Sequence, residues 1–251
     1  MVNITIIAAG NEYQIAAAWA APTYMKYLPQ GGMVSVLLSD EEKPLELLKK
    51  HSELFGFAIK TFPFEAERSA KYIMQLKCRA LFHVVSHLKS NELLFYVDAD
   101  TCCCRPLTFE SQFTKAAFAG KICFAPDLRD RHENNVRMPW YLSPGERDTY
   151  VNAGVMLTTA CALDMFKLFL DISKRKQFSN PPYGDQTIIN YVFGKYHNGR
   201  LFLLNRDYNE MRYSIPTSTK FVAHFPGGKA PQDLSKKFAR HKNLCIEILR
   251  N

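Results

Sequence analysis

Short apolar runs, each closed by glycine, aspartate or a turn, alternate with longer amphipathic stretches along most of this chain. That alternation sets what it can fold into. Ile4–Ala9 ends at Gly10, Met33–Leu38 reads MVSVLL, and Leu93–Val97 reads LLFYV and stops at Asp98. Ala58–Phe62, Ile122–Ala125, Val155–Thr158 (continuing from Tyr150), Leu201–Leu204 and Phe221–Ala223 read as further strands. Between them, Ile15–Tyr27, Glu41–His51, Glu67–Leu88, Ala162–Ser173 and Tyr183–Phe193 read as helices. Runs that stay apolar without alternating suit strands covered on both faces. The expectation is an α/β fold, with a mixed, mostly parallel sheet flanked by helices. Arg129–Arg147 is polar, carries Pro139, Trp140, Pro144 and Gly145, and lacks periodicity, which suits a lid or binding loop.

At 251 residues, 47% hydrophobic and 22% charged, the chain has the make-up of a folded globular protein rather than a disordered one. Its first residues read as a strand and turn rather than a signal peptide, and no apolar run is long enough to span a bilayer. The seven cysteines are odd in number and three are adjacent, Cys102, Cys103 and Cys104. This fits neither a disulfide framework nor a zinc site, so packing roles and a reducing, cytoplasmic compartment are expected. A formal charge of +8 favours anionic partners. Part of it lies in the amphipathic tail Leu234–Leu249, where Lys236, Lys237, Arg240, His241 and Lys242 interleave with Leu234, Phe238 and Leu244. Two readings of the tail stay open: peripheral docking on the inner face of an anionic membrane, or a helix packed on residues 1–233 with a solvated basic face.

Ligand sites in open α/β sheets form beyond the carboxyl ends of strands. Asp98-Ala99-Asp100 stands at such an end. Carboxylates at i and i+2 of an extended chain point the same way and repel one another unless a cation joins them. A hard divalent ion accepts oxygen ligands and keeps positions open for phosphate. His224, after the short strand FVA, can supply a nitrogen ligand, and Gly227-Gly228-Lys229 beyond it can approach an anion. Asp185 and Gln186 open a helix, where Asp is also a natural N-cap, and Asn152 stands beside the small residues Ala153 and Gly154.

VDADT, YVNAGVMLTT, YGDQTIINYVF and HFPGGK occur in this order. Together they resemble glycosyltransferase family 8, retaining enzymes of the GT-A fold that include glycogenin-like and lipopolysaccharide galactosyl- and glucosyltransferases. The resemblance covers the chain from its first strand to Lys229. It implies Mn²⁺ or another divalent cation, held by Asp98, Asp100 and His224, and a UDP-sugar donor. It implies that Ala8, Ala9 and Tyr13 meet the nucleobase, Tyr13 by stacking, and that Asp98, Ala99 and Asp100 approach the ribose or sugar. Lys229 corresponds to a phosphate-binding lysine, while Lys77 and Arg79, on the helix before DAD, offer further basic contacts to the donor. Asn152, Asp185 and Gln186 correspond to residues near the transferred sugar. The acceptor would be a saccharide or glycolipid, not nucleic acid. The family often carries an acid after the first strand, where this chain has Gly10-Asn11.

Two other classes compete with this reading. A haloacid-dehalogenase-type phosphohydrolase also uses Asp-x-Asp, but wants it after an early strand and wants Thr or Val where Cys102 stands. A sugar-nucleotide-binding protein without turnover fits the charge but leaves Asn152, Asp185 and Gln186 unexplained.

Overall fold

The computed structural model describes residues 1–63, 72–127, 150–178, 184–196, 198–210, 220–225 and 231–251, with side chains left aside at 72–74, 198 and 231–234. The expected loop Arg129–Arg147 and Lys229 lie outside the described residues. The chain divides into two compact units, Met1–Phe64 with Leu94–Phe109 and Arg206–Asn251, and Glu65–Leu93 with Glu110–Asn205.

In the first unit, β1 (Val2–Ile7) leads into α1 (Asn11–Lys26), β2 (Met33–Ser39), α2 (Glu46–Phe55) and β3 (Ala58–Phe62). β1 pairs in parallel with β2, and β2 with β3. β4 (Leu93–Asp98) lies beside β1 on the other side, giving the order β3-β2-β1-β4. Ile4, Ile6, Val36, Leu38 and Phe95 are buried, as expected for strands covered on both faces. Gly10 makes the turn from β1 into α1 with φ of 81°, a conformation that costs a side-chain-bearing residue energy. The buried face of α1 is built from Ala16, Ala17, Ala18, Ala20 and Ala21, which let the helix backbone lie close to its neighbours.

Pro22 stands inside α1 and has no N–H to offer the Ala18 carbonyl. His51 of α2 supplies the missing donor, Nδ1 to Ala18 O at 2.6 Å. α2 starts at Glu46, later than expected, because Pro44 lies before the first turn rather than in it.

The three adjacent cysteines form no loop. Cys102 and Cys103 belong to β5 (Thr101–Cys103), which pairs antiparallel with β9 (Val222–His224) in a separate two-stranded sheet. Cys102 and Cys104 pack with Phe225, Cys245 and Ile248. They are packing residues, as read, and burial pushes the Cys103 thiol up. α7 (Pro231–Arg250) packs along α1 and β5 and supplies Cys245 and Ile248 to this cluster.

The second unit contains α3 (Tyr72–Ser86), α4 (Ser111–Phe118), β6 (Ile122–Pro126), β7 (Val151–Thr158), α5 (Leu163–Ser173), α6 (Asp185–Lys195) and β8 (Leu201–Leu203). β6 pairs antiparallel with β7 and parallel with β8. Helix α3 is described from Tyr72, the earlier part of the expected stretch, 67–71, lying outside the described residues, and α4 is an element that the sequence pattern does not show, its eight residues being too few to display a period. Among the described residues no helix is long and apolar enough to cross a membrane.

Candidate active site

The first unit gathers its candidate residues where β4 ends. Asp98 is the last residue of β4, Ala99 and Asp100 form a turn, and Thr101 opens β5. The two carboxylates therefore converge through a turn, not through strand alternation as their spacing suggests. Thr101 closes the turn by donating its hydroxyl to Asp98 O at 2.7 Å, and Tyr24 OH lies 2.8 Å from the same hydroxyl oxygen. Cys103 N–H donates to Thr23 Oγ1 at 2.9 Å, tying β5 to α1.

The register of β5 against β9 then brings in the histidine. Thr101 lies opposite His224, and Phe225 N–H donates to Asp100 O at 3.0 Å. His224 Nε2 stands 3.5 Å from Asp100 Oδ1 and 3.8 Å from Asp98 Oδ2. One ligand atom from each of the three lies within 4.8 Å of the others. On the far side of the ring, His224 Nδ1 lies 2.8 Å from Asn209 Oδ1. An amide oxygen only accepts, so Nδ1 carries a hydrogen, and Nε2 is the nitrogen turned toward the carboxylates. Asn209 is held there because the next residue, Glu210, bridges β9, with Glu210 N–H bonded to Val222 O at 2.9 Å.

Each carboxylate has one oxygen toward His224 and the other on a protein donor. Asp98 Oδ1 accepts from the Tyr96 hydroxyl, and Asp100 Oδ2 lies 2.6 Å from Lys237 Nζ of α7. Asp100 and Lys237 are almost wholly buried. Burial alone would raise the Asp100 carboxyl. The hydrogen-bonding partners His224 and Lys237 outweigh it and hold the group well below the ordinary carboxylate range. Two oxygens and one imidazole nitrogen converging this way suit a divalent cation of the Mn²⁺ type. Lys237 also lies 5.8 Å from the Tyr13 ring centre, and Tyr13 meets Phe238 edge to face. Tyr13 is in the first turn of α1, not in a loop, and is more than one-third exposed. Ala8 and Ala99 are buried and Ala9 is half-buried. An acid does stand beside the turn after β1: Glu42 Oε1 accepts from Gly10 N–H.

The second unit gathers the remaining candidates on β7 and the start of α6. Gln186 Oε1 accepts from Asn152 Nδ2 at 3.1 Å and from Ala153 N–H at 3.3 Å, and Gln186 Nε2 donates to Asp127 Oδ2 at 2.9 Å. Asn152 Oδ1 accepts from Gly154 N–H at 2.8 Å. Asn190, one turn along α6, donates to Val151 O and Gln186 O and accepts from Val151 N–H. Asn152, Gln186, Asp127 and Asn190 are all buried. Asp185 is not the cap of α6, because Gly184 occupies that position with φ of 58°. The Asp185 carboxylate turns instead to Lys77, 2.7 Å away, whose ammonium also donates to Ala153 O at 2.9 Å. The helix lysine expected beside a donor thus meets a candidate sugar-contacting acid.

Sequence reasoning missed Tyr96, Asp127 and Asn209. The first two carry a faint signal, Tyr96 two residues before Asp98 and Asp127 just past a strand end; Asn209 carries none. Lys237 was read only as part of a basic tail.

No family model matches the chain, and no curated protein matches it. Solved structures do. The galactosyltransferase LgtC, in complex with donor and acceptor sugar analogs, shares 17% identity, with 96% of this chain and 95% of LgtC covered, at a TM-score of 0.62. An equally similar structure is an active-site mutant of LgtC in which glutamine is replaced by glutamate. The glycosyltransferase GlyE of Streptococcus pneumoniae TIGR4 shares 14%, with 99% of this chain and 62% of that one covered, at 0.62. Mouse xyloside xylosyltransferase 1 shares 14%, with 92% and 98% covered, at 0.55. At these identities the likeness establishes the fold, an α/β fold of the GT-A type.

Proposed function

We propose that this chain is a metal-dependent glycosyltransferase that moves a hexosyl group from a UDP-sugar to a hydroxyl of a saccharide or glycolipid, with retention at the anomeric carbon. The carrying observation is the convergence of Asp98, Asp100 and His224 Nε2 from two chain segments more than a hundred residues apart. The likeness to glycosyltransferase structures supports the same reading, as do the four family-8-like motifs. A divalent cation, when bound, would neutralise the diphosphate as it leaves.

The chain's own residues divide the remaining work. Asp98, Asp100 and His224 would hold the cation. Ala8, Ala9 and Tyr13 would receive the nucleobase. Asn152, Asp185 and Gln186 would serve the transferred sugar, with Asp127 and Lys77 fixing the orientation of Gln186 and Asp185. A glutamine bonded at both ends of its amide is a poor nucleophile, which favours front-face attack, the leaving phosphate taking the acceptor's proton, over a covalent intermediate. The transition state would be oxocarbenium-like. Lys229 is kept as a diphosphate contact on the resemblance alone. Residues 1–233 form the catalytic body in this reading, 234–251 a helix packed on it, and the cytoplasm is its compartment.

The test is a donor screen with Mn²⁺ and a panel of UDP-, GDP- and ADP-sugars, scored for nucleotide release. UDP release that requires Mn²⁺, and that Asp100→Ala abolishes while the circular dichroism spectrum is kept, is the expected result. Donor binding without release would make the chain a binding protein. Hydrolysis of p-nitrophenyl phosphate with no attack on any UDP-sugar would make it a phosphohydrolase. Anomeric analysis of the product by NMR checks retention, and inversion rejects it.

A further inference from the structure

Lys237 is set apart from the other basic residues of α7. Lys236, Arg240 and Lys242 are exposed, whereas the Lys237 side chain is 9% exposed and its ammonium lies 2.6 Å from Asp100 Oδ2. Burying an ammonium is costly unless it is paired, and here the partner is a carboxylate of the proposed cation site. A lysine needed only to anchor the helix has other uses in this chain: Lys26 holds α7 by donating to Ile248 O at 2.7 Å.

We propose that Lys237 sets the charge of the donor site, weakening the hold on the cation and strengthening the hold on the donor's diphosphate. The inference rests on the cation site proposed above.

The two carboxylates and the ammonium together carry one net negative charge. A divalent cation turns that into one net positive charge. Without Lys237 the same site would run from two negative charges to none. The ammonium therefore opposes the cation, by like charge and by occupying Asp100 Oδ2, and leaves the loaded site attractive to a polyanion. It also makes nucleotide binding depend on the cation, because only the loaded site is positive. Position agrees with this role. Lys237 Nζ is near both Asp100 and the Tyr13 ring, 2.6 Å from the first and 5.8 Å from the centre of the second. If Tyr13 receives the nucleobase and Asp100 the cation, the diphosphate that joins them passes the ammonium.

The test compares wild type, Lys237→Gln and Lys237→Arg, with Lys236→Gln as a control on the exposed side of the same helix. Mn²⁺ binding to the protein alone is followed by electron paramagnetic resonance, and UDP binding at saturating Mn²⁺ by calorimetry. Lys237→Gln is expected to bind Mn²⁺ on the order of tenfold tighter and UDP on the order of tenfold weaker, the size of an ordinary coupling between two ligands. Lys237→Arg keeps the charge and is expected to stay near wild type, as is Lys236→Gln. A purely structural role would weaken both ligands or neither, so opposite signs are the signature. Mn²⁺ affinity unchanged or weakened in a Lys237→Gln protein that melts cooperatively overturns the proposal, and so does unchanged UDP affinity. If Lys237→Gln does not fold, Lys237→Met replaces it, and loss of UDP binding in Lys237→Arg alongside loosened Mn²⁺ overturns it too. Absence of Mn²⁺ binding in wild type and variants alike sinks the cation site itself, a result distinct from the others.

Discussion

Single side chains decide what the strand end beyond β4 can hold. Asn209 takes Nδ1 of His224, and Nε2 is the nitrogen that faces Asp98 and Asp100. Partners of this kind fix the tautomer and ring orientation of a ligating histidine and typically account for 10- to 100-fold in metal affinity. Asn209→Leu removes the acceptor at similar volume, and Mn²⁺ affinity is expected to fall roughly 10-fold or more. Asn209→Asp keeps an acceptor and is expected to retain it. Calorimetry on both variants checks this; equal affinity in Asn209→Leu and wild type would show that the ring is held by packing instead. Asp98, Asp100 and His224 were legible in the sequence because strand ends and Asp-x-Asp spacing are local signals. Asn209 was not, because its partner lies 15 residues away across an isolated bridge that no local pattern encodes.

At the scale of elements, the pairing of β5 with β9 matters most, since it sets His224 opposite Thr101. Each strand has three residues, too short for a period, and this is why Cys102 and Cys103 read as packing residues without reading as a strand. The helices offer two predictions. Pro22 leaves the Ala18 carbonyl to His51, so His51→Ala should cost about 1–3 kcal/mol, the penalty for an orphaned buried acceptor. In a Pro22→Ala background the restored N–H can take that carbonyl, and the cost of His51→Ala should shrink. A double-mutant cycle in urea measures the coupling, and an additive cycle would refute it. The second concerns α7. His241 donates Nε2–H to Thr101 O at 2.9 Å and is buried, and burial holds its pKa below the ordinary 6.5. The unfolded chain therefore binds a proton at higher pH than the folded one. Stability contributed by neutral His241 is present above about 6.5 and is lost as pH falls through that value toward the lowered folded pKa. The melting midpoint is expected to drop between pH 7 and 5.5, and less steeply in His241→Gln. His83, shifted the same way by burial and by His87, leaves a residual slope in both proteins.

At the scale of the whole chain, the α/β class and most elements followed from apolar runs and helix periods, because both are local and repeated. The tail was the open question, and the outcome turns on which face of α7 is covered. Cys245 and Ile248 are buried, with Leu244, Trp19 and Tyr27 packed against their cluster, and Phe238 meets Tyr13. Lys236, Arg240, Lys242 and Arg250 are exposed, and no large apolar side chain on α7 is exposed among the described residues. A helix that binds in a membrane interface buries its apolar face in lipid, and here that face is spent on the protein. What remains for a bilayer is charge, from a chain carrying a formal +8. Co-sedimentation is therefore expected with vesicles containing anionic lipid at low salt. It should be absent with neutral vesicles, and lost near 1 M salt, where screening acts within about 3 Å. Lys236→Glu with Arg240→Glu should abolish it without altering the melting curve, since neither side chain is buried. Binding that survives high salt would mean that α7 leaves Trp19 and Tyr27 to insert its apolar face. Lys237 would then leave Asp100 on the membrane, and Mn²⁺ affinity would rise with added vesicles, which the same titration reads.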